Sequence, residues 1–227
     1  MPLKRLLLVL PLVLSSACSS TFLAYKDTLS LAFFGAEPAS YTKQQLLATS
    51  QQLMYVSVGD ASRVSLELAL QSQNQSTWRS GDKGGLVFVH HRLVRTLGFK
   101  QNLLQLAAPK MQPGDAISVH SKVGQSARLQ LLQDDARYSN LLLESRIVGR
   151  DKVLWQYDDY QANALLITEQ LASTDANVGF SVQQQYWFDL STGQLLQTIQ
   201  QSSPSMPSFN IVMISTAARL APTKGTP

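Results

Sequence analysis

Val64-Ser65-Leu66-Glu67-Leu68-Ala69-Leu70 decides the fold class. Val64, Leu66, Leu68 and Leu70 fall on one side of an extended chain, and Ser65 and Glu67 fall on the other. That period of two is the mark of a half-buried β-strand. Upstream, Leu53-Met54-Tyr55-Val56-Ser57-Val58 is a second strand, closed by a Gly59-Asp60 turn. Downstream, Gly81-Asp82-Lys83-Gly84-Gly85 is a turn cluster, and Leu86 to Leu97 reads as a strand pair or one long bent strand. Gln101 to Ala107 reads as a helical turn stopped by Pro109. Further strands are expected over 116–121, 127–133, 141–148, 153–160, 164–171, 179–190, 194–201 and 210–216. Gly149-Arg150-Asp151, Ser191-Thr192-Gly193 and Ser203-Pro204 supply the joints. Turn signals every ~8–12 residues are the spacing of an antiparallel meander. No helical pattern alternates with the strands, which argues against a parallel α/β fold. About eleven strands in one sheet do not stay flat; they twist, then curl or close. The fold class is therefore all-β with a few short helices: a large antiparallel meander sheet curled into a half-barrel or barrel, spanning 53–221. Residues 222–227 read as a disordered tail.

The N-terminal 52 residues differ. Lys4-Arg5 precede an apolar run from Leu6 to Leu14, broken only by Pro11, and Ser15-Ser16-Ala17 are small. That is a secretory leader over 1–17, too short to span a bilayer. Cys18 follows directly and is the chain's one cysteine. A single thiol in an exported protein makes no internal disulfide. Lipid modification of Cys18 explains it, and acyl chains bury ~0.8 kcal/mol per methylene in a membrane. Ordinary leader cleavage beside a cysteine is the alternative; Leu14 lies four residues before Cys18, where a lipoprotein leader usually has leucine three before. By analogy with enteric sorting rules, Ser19 directs the lipoprotein to the outer membrane, on its periplasmic face. Residues 18–52 read as a lipidated tether with two short helices. The first lies within Phe22 to Phe34 and ends at Gly35-Ala36-Glu37-Pro38. The second is capped by Ser40 or Thr42 and buries Leu46 and Leu47.

Composition excludes several classes. The formal charge is +4, but Lys4 and Arg5 belong to the leader, and the remaining basic residues are scattered. No nucleic-acid face is expected. Arg92 and Arg95 fall on opposite faces of a regular strand. His90 and His91, adjacent on a strand, diverge and cannot share an ion, and His120 stands alone, so no metal site is expected. Asp134-Asp135 and Asp158-Asp159 read as solvated turn or strand-end residues; a glycosidase needs two carboxyls facing one cleft. No G-x-S-x-G elbow and no phosphate-loop spacing is present. No cofactor and no catalytic residue are expected, so the protein is read as no enzyme. Trp155 and Tyr157 share a strand face. With Gln183 and Gln185 they form a candidate ligand-binding patch, while core packing is the other reading of these aromatics. Trp78 and Trp187 are expected inside the sheet.

Several segments carry a family resemblance. Gly59-Asp60, Trp78-Arg79-Ser80-Gly81-Asp82, Arg92-Leu93-Val94-Arg95-Thr96-Leu97-Gly98, Asn102-Leu103-Leu104 and Tyr186-Trp187-Phe188-Asp189-Leu190-Ser191-Thr192-Gly193 resemble the signatures of the YjbF/GfcB lipoproteins. The resemblance covers essentially the whole mature chain. Departures are the inserted Gly81, the His90-His91 pair and the leader's leucine. It implies a half-barrel or barrel similar to the lipoprotein carriers LolA and LolB, and accessory lipoproteins encoded with group 4 capsule or related exopolysaccharide loci. The expected function is an accessory outer-membrane lipoprotein that assists assembly or export of surface polysaccharide by non-catalytic binding. Its expected partners are the membrane, through the lipid, and the polysaccharide or its export proteins. A periplasmic lipid or lipoprotein carrier using the half-barrel cavity is the alternative.

Overall fold

A computed structural model describes residues 39–81, 84–99, 101–108 and 115–220. The leader, Cys18, the helix expected within 22–34 and the tail lie outside them. The described chain runs α1 (Lys43–Ala48), β1 (Leu53–Val58), β2 (Val64–Gln71), β3 (Gln75–Arg79), β4 (Gly85–Val89), β5 (Arg92–Leu97) and β6 (Leu103–Ala107). It continues through β7 (Ser126–Gln133), β8 (Leu141–Tyr157), β9 (Tyr160–Ser173), β10 (Ser181–Asp189), β11 (Leu195–Gln200), β12 (Phe209–Val212) and α2 (Ile214–Leu220).

All twelve strands form one antiparallel sheet in the order β5-β4-β3-β2-β1-β12-β11-β10-β9-β8-β7-β6. Each strand pairs with its neighbours in sequence, with two exceptions. The first and last strands pair with each other, Tyr55 opposite Val212 and Val58 opposite Phe209. The consecutive strands β5 and β6 share no ladder but lie side by side as the sheet's two edges. The sheet thus curls into a nearly closed barrel whose seam falls mid-chain. Side chains bridge that seam: Thr96 Oγ1 accepts the Leu103 N–H at 2.9 Å, and Asn102 Oδ1 accepts the Phe99 N–H at 3.2 Å. An edge amide is satisfied by a hydroxyl in place of a partner strand, which blunts the edge.

Strand alternation sorts the core into two layers. Met54, Leu66, Trp78, Phe88, Leu129, Leu143 and Ile211 come from strands all round the sheet yet form one cluster, so they fill the barrel. Leu53, Tyr55, Trp155 and Val212 point outward and are covered by Leu46 of α1 and by Ile214, Ala217 and Ala218 of α2. Each fully buried side chain of this kind contributes about 1.5–3 kcal/mol. The α1 start is a capping box: the Gln45 N–H donates to Thr42 Oγ1, and Gln45 Oε1 accepts the Thr42 N–H.

Several expectations are corrected. Leu141–Tyr157 is one 17-residue strand. Gly149-Arg150-Asp151 lies within it, beside a bulge between Ile147 and Gly149. A Cβ at Gly149 would sit 3.2 Å from Thr168 Cβ on β9, so this glycine serves close strand approach and not a turn. Leu103–Ala107 is a strand, not a helical turn, and Gln75–Arg79 is a strand the alternation did not reveal. The strand expected over 116–121 is a set of turns, and the one expected over 210–216 gives way to α2 at Ile214. Leu47 is 53 % exposed, so α1 buries Leu46 alone of the pair. Trp78 is buried inside, whereas Trp187 is half-buried against the helix-covered layer.

The β10–β11 turn shows how a family signature works structurally. Asp189 Oδ1 accepts from the backbone N–H and the hydroxyl of both Ser191 and Thr192, at 2.6–3.0 Å. Gly193 follows at φ 72°, the left-handed region that glycine enters freely. Burial works to raise the Asp189 pKa, and the four hydrogen bonds outweigh it, leaving the carboxyl below its usual 3.8. A carboxyl with a lowered folded-state pKa contributes stability that is present above its unfolded value and is lost as pH falls through the folded one. Denaturant midpoints of wild type and Asp189→Ala are therefore expected to differ at pH 7 and to converge below about pH 4. A gap that persists in acid would mean the turn does not depend on the ionised carboxylate.

Candidate functional site

His90 and His91 do not sit on a strand. They form the tip of the β4–β5 hairpin at φ 47° and 71°, so strand alternation does not separate them. The His90 N–H donates to the Asn74 carbonyl at 3.0 Å, tying this tip to the tip of the β2–β3 hairpin. Two further bonds fix the turn against the far wall. Gln200 Oε1 accepts the Leu93 N–H, and Gln200 Nε2 donates to the His91 carbonyl, both at 2.8 Å. His91 is itself exposed as a residue, yet its ring lies edge-on to buried Phe188, with centroids 5.4 Å apart. Burial against the wall, with His90 adding like charge, pushes the His91 pKa down to about 4. The ring is neutral at pH 7.

These two tips frame a cleft of about 220 Å³ at the barrel mouth. Gln71, Gln73, Asn74, Ser76 and Thr198 supply polar groups, and Trp78, Phe88, Ile211 and Met213 supply apolar surface. A second cleft of about 360 Å³ lies along the seam. Val87, Val89, Val94, Leu104, Leu106 and Leu129 line it, with Arg92 and Arg95.

Deeper inside, one ion pair crosses the barrel. Arg92 Nη2 donates to Glu169 Oε1, which also accepts from Ser145 Oγ. The Tyr186 hydroxyl lies 2.9 Å from Glu169 Oε2 and 2.6 Å from Gln184 Oε1. Glu169 is fully buried and Arg92 is 5 % exposed. Burial opposes the Arg92 charge, and Glu169 outweighs it; burial, with the Glu169 charge, holds the Tyr186 hydroxyl well above its usual pKa. The Arg92 Nε–H is the one buried side-chain donor without a hydrogen-bond partner among the described residues. A bulge between Val87 and Phe88 in the β4–β5 ladder sets Arg92 opposite Val89 and Arg95 opposite Val87, so the two arginines share a face of the ladder, against the regular-strand expectation; Arg92 is buried there and Arg95 is exposed.

The patch residues Trp155, Tyr157, Gln183 and Gln185 are not brought together. Trp155 pairs with Ala162 and Gln185 with Thr168, six residues further along β9, or roughly 20 Å of strand. Gln183 is exposed and Gln185 half-buried on β10. Trp155 is buried and donates its indole N–H to Gln197 Oε1 at 2.7 Å. Tyr157 stacks on it at 6.3 Å and continues a row through Tyr55 to Tyr41. Arg63 lies over Tyr55, pairs with Asp158 at 2.7 Å, and donates through Nε to the Ala39 carbonyl at 2.7 Å. This row clasps residues 39–42 where the chain enters the barrel layer. Asp134, just past β7, accepts the Asn102 N–H from the β5–β6 connection 32 residues away, and Asp135 accepts the Arg137 N–H within its own turn. Among the described residues, no three His, Cys, Asp or Glu side chains group as a metal site would require.

Residues 26–214 match the family described as "Group 4 capsule polysaccharide lipoprotein gfcB, YjbF". The chain belongs to this family. Lipoprotein GfcB of Escherichia coli K12 is 25 % identical over 209 residues, covering 84 % of this chain and 91 % of that one. Lipoprotein YjbF of the same organism is 26 % identical over 202 residues, covering 87 % and 91 %. The crystal structure of the hypothetical lipoprotein YmcC from E. coli K12 superposes with a TM-score of 0.63 at 22 % identity, over 82 % of this chain and 93 % of that one. It shares the fold. Family membership places the chain among lipoproteins associated with capsule polysaccharide. No described helix is long and apolar enough to cross a membrane.

Sequence reasoning missed Glu169 and the mouth cleft. Glu169 sits in the polar run Thr168-Glu169-Gln170, and its partner Arg92 is 77 residues away. The signal that could have flagged Glu169 is its place in the apolar phase of β9, with Leu165, Ile167 and Leu171.

Proposed function

We propose that the protein is an outer-membrane lipoprotein, anchored through Cys18 after removal of residues 1–17, that assists assembly or export of capsule or related exopolysaccharide by binding. Residues 18–52 act as tether and 53–221 as the binding domain, on the periplasmic face. The match over 26–214 to a capsule polysaccharide lipoprotein family carries this reading. The interior acid supports binding over catalysis. Glu169 has no exposed surface, and its oxygens are engaged by Arg92, Ser145 and Tyr186. A carboxylate so enclosed does not reach a glycosidic bond.

The test is complementation of a deletion strain. Wild-type protein is expected in the outer-membrane fraction, with an acylated Cys18 peptide by mass spectrometry. Cys18→Ser is expected in the soluble periplasm with reduced surface polysaccharide. Each described Asp and Glu, substituted singly, should leave surface polysaccharide intact while the protein stays folded and localised. One stable, correctly anchored carboxylate variant that abolishes surface polymer would sink the non-catalytic reading.

The apolar seam cleft favours the carrier reading as a second possibility. Mass spectrometry of solvent extracts from purified protein separates the two: stoichiometric acyl lipid beyond that on Cys18 would speak for a carrier.

A further inference from the structure

We infer that the cleft at the barrel mouth is a binding site for one uncharged sugar ring; this deepens the binding role proposed above and rests on it. The cleft lies where two hairpin tips, neighbours through the β3–β4 ladder, meet β11 and β12 of the same sheet. The β2–β3 tip brings Gln71, Gln73 and Asn74, the β4–β5 tip brings His90 and His91, and β11 and β12 close the back with Thr198 and Ile211. The His90 to Asn74 backbone bond and the two Gln200 bonds hold the tips in place. The opening is therefore shaped before any ligand arrives.

Its chemistry is selective. No Asp, Glu, Lys or Arg lines it, and the His91 ring is neutral at pH 7. An anion would find no lysine or arginine there, and a cation no carboxylate. What the lining offers is amide and hydroxyl groups in numbers. A primary amide gives two donors and an acceptor, the pattern that meets the hydroxyls of a sugar. The side-chain amides of Gln73 and Asn74 make no hydrogen bond among the described residues, so their capacity is unspent. Gln71 uses its NH₂ on the Ser72 carbonyl and keeps its oxygen. Trp78 has committed its indole N–H to Ser76 Oγ at 3.0 Å, so it and Phe88 form an apolar floor suited to the C–H face of a ring. An acyl chain fits poorly, because it would strip water from these amides and return no hydrogen bond. The volume, about 220 Å³, lies below the ~300–1,000 Å³ of sites for drug-sized ligands. One ring of a polymer enters at a time.

The test uses the full-length lipoprotein in detergent micelles, titrated with the methyl glycosides of glucose, galactose, mannose and N-acetylglucosamine. Glucuronate and dodecanoate serve as charged and acyl counter-probes. At least one neutral glycoside is expected to shift the ring signals of His90 and His91 saturably. The double variant Gln73→Ala/Asn74→Ala changes two exposed tip residues, keeps the fold, and should weaken that binding about tenfold or more. The inference fails if no neutral glycoside moves those signals up to its solubility limit. It fails equally if glucuronate or dodecanoate binds in preference, or if the double variant binds as wild type does. Glycoside binding through this cleft, in a protein whose deletion leaves surface polymer unchanged, would keep the site and overturn the capsule role, so the two failures read apart.

Discussion

Glu169→Ala is expected to destabilise the barrel by about 3–5 kcal/mol, the range for breaking a buried ion pair from one side. The substitution leaves the Arg92 guanidinium in the interior, 5 % exposed, with its principal counter-charge gone. Ser145 Oγ loses the acceptor it now holds, and the Tyr186 hydroxyl keeps only Gln184 Oε1. Removing both charges together tests whether the loss comes from the orphaned cation. Arg92→Met/Glu169→Leu should recover most of the stability, because the desolvation of both ions disappears with their attraction. Urea unfolding of the two variants decides the matter. A double variant as unstable as Glu169→Ala would mean that the packing of these side chains, and not their charge, holds the interior. The pair also joins β5, an edge strand, to β9 across the barrel. In Glu169→Ala, amide exchange should therefore rise first in β4 and β5, ahead of β9 and β10.

The period of two was legible wherever a strand has one dry face. Val64 to Leu70 announces itself because neighbouring side chains differ in polarity, though a bulge between Leu68 and Leu70 leaves Leu70 61 % exposed, whereas Leu53 to Val58 is apolar on both faces and is marked by the Gly59-Asp60 turn that closes it. Gln75–Arg79 does not, since its inward positions include Ser76 beside Trp78, and one aromatic in five residues sets no period. Gly149 reads as a turn signal by composition, yet it lies in mid-strand because Thr168 approaches it from β9. The seam was also hidden. Leu103 to Ala107 has Leu104 and Gln105 exposed between buried Leu103 and Leu106, a spacing of three that mimics a helix. It arises from a bulge between Leu103 and Gln105 against β7. The site was less legible than the fold for a physical reason. Trp155 and Tyr157 declare themselves by size, but Gln71, Asn74, His91 and Thr198 converge only through hairpin tips and back wall, across up to 127 positions.

Tyr55→Ala is expected to cost about 3–5 kcal/mol, as for the removal of other buried aromatic rings. Tyr55 is 2 % exposed and sits at the centre of the outer layer. Tyr41 stacks on it at 6.2 Å, Tyr157 lies tilted at 6.4 Å, and the Arg63 guanidinium is 4.7 Å from the ring centre. Its hydroxyl accepts the Tyr41 N–H at 2.7 Å. Tyr55→Phe keeps the ring and removes only that bond, so it should cost about 0.5–1.5 kcal/mol. The difference between the two variants measures the ring's share. Location gives the change a second effect. Ala39 exchanges hydrogen bonds with Arg63, and Tyr41 bonds Tyr55, so the ring is the keystone of the clasp on residues 39–42. Without it, α1 and the chain before it should detach from β1 while the barrel beyond stays folded. Limited proteolysis of Tyr55→Ala is expected to cut before Leu53 under conditions that spare wild type and Tyr55→Phe. On the proposed anchoring, such a cut frees the barrel from its lipid. Cleavage spread evenly along the chain would instead show that the clasp and the barrel unfold as one unit, since the outer layer that Tyr55 shares with Ile214 and Ala217 would then have failed together with it.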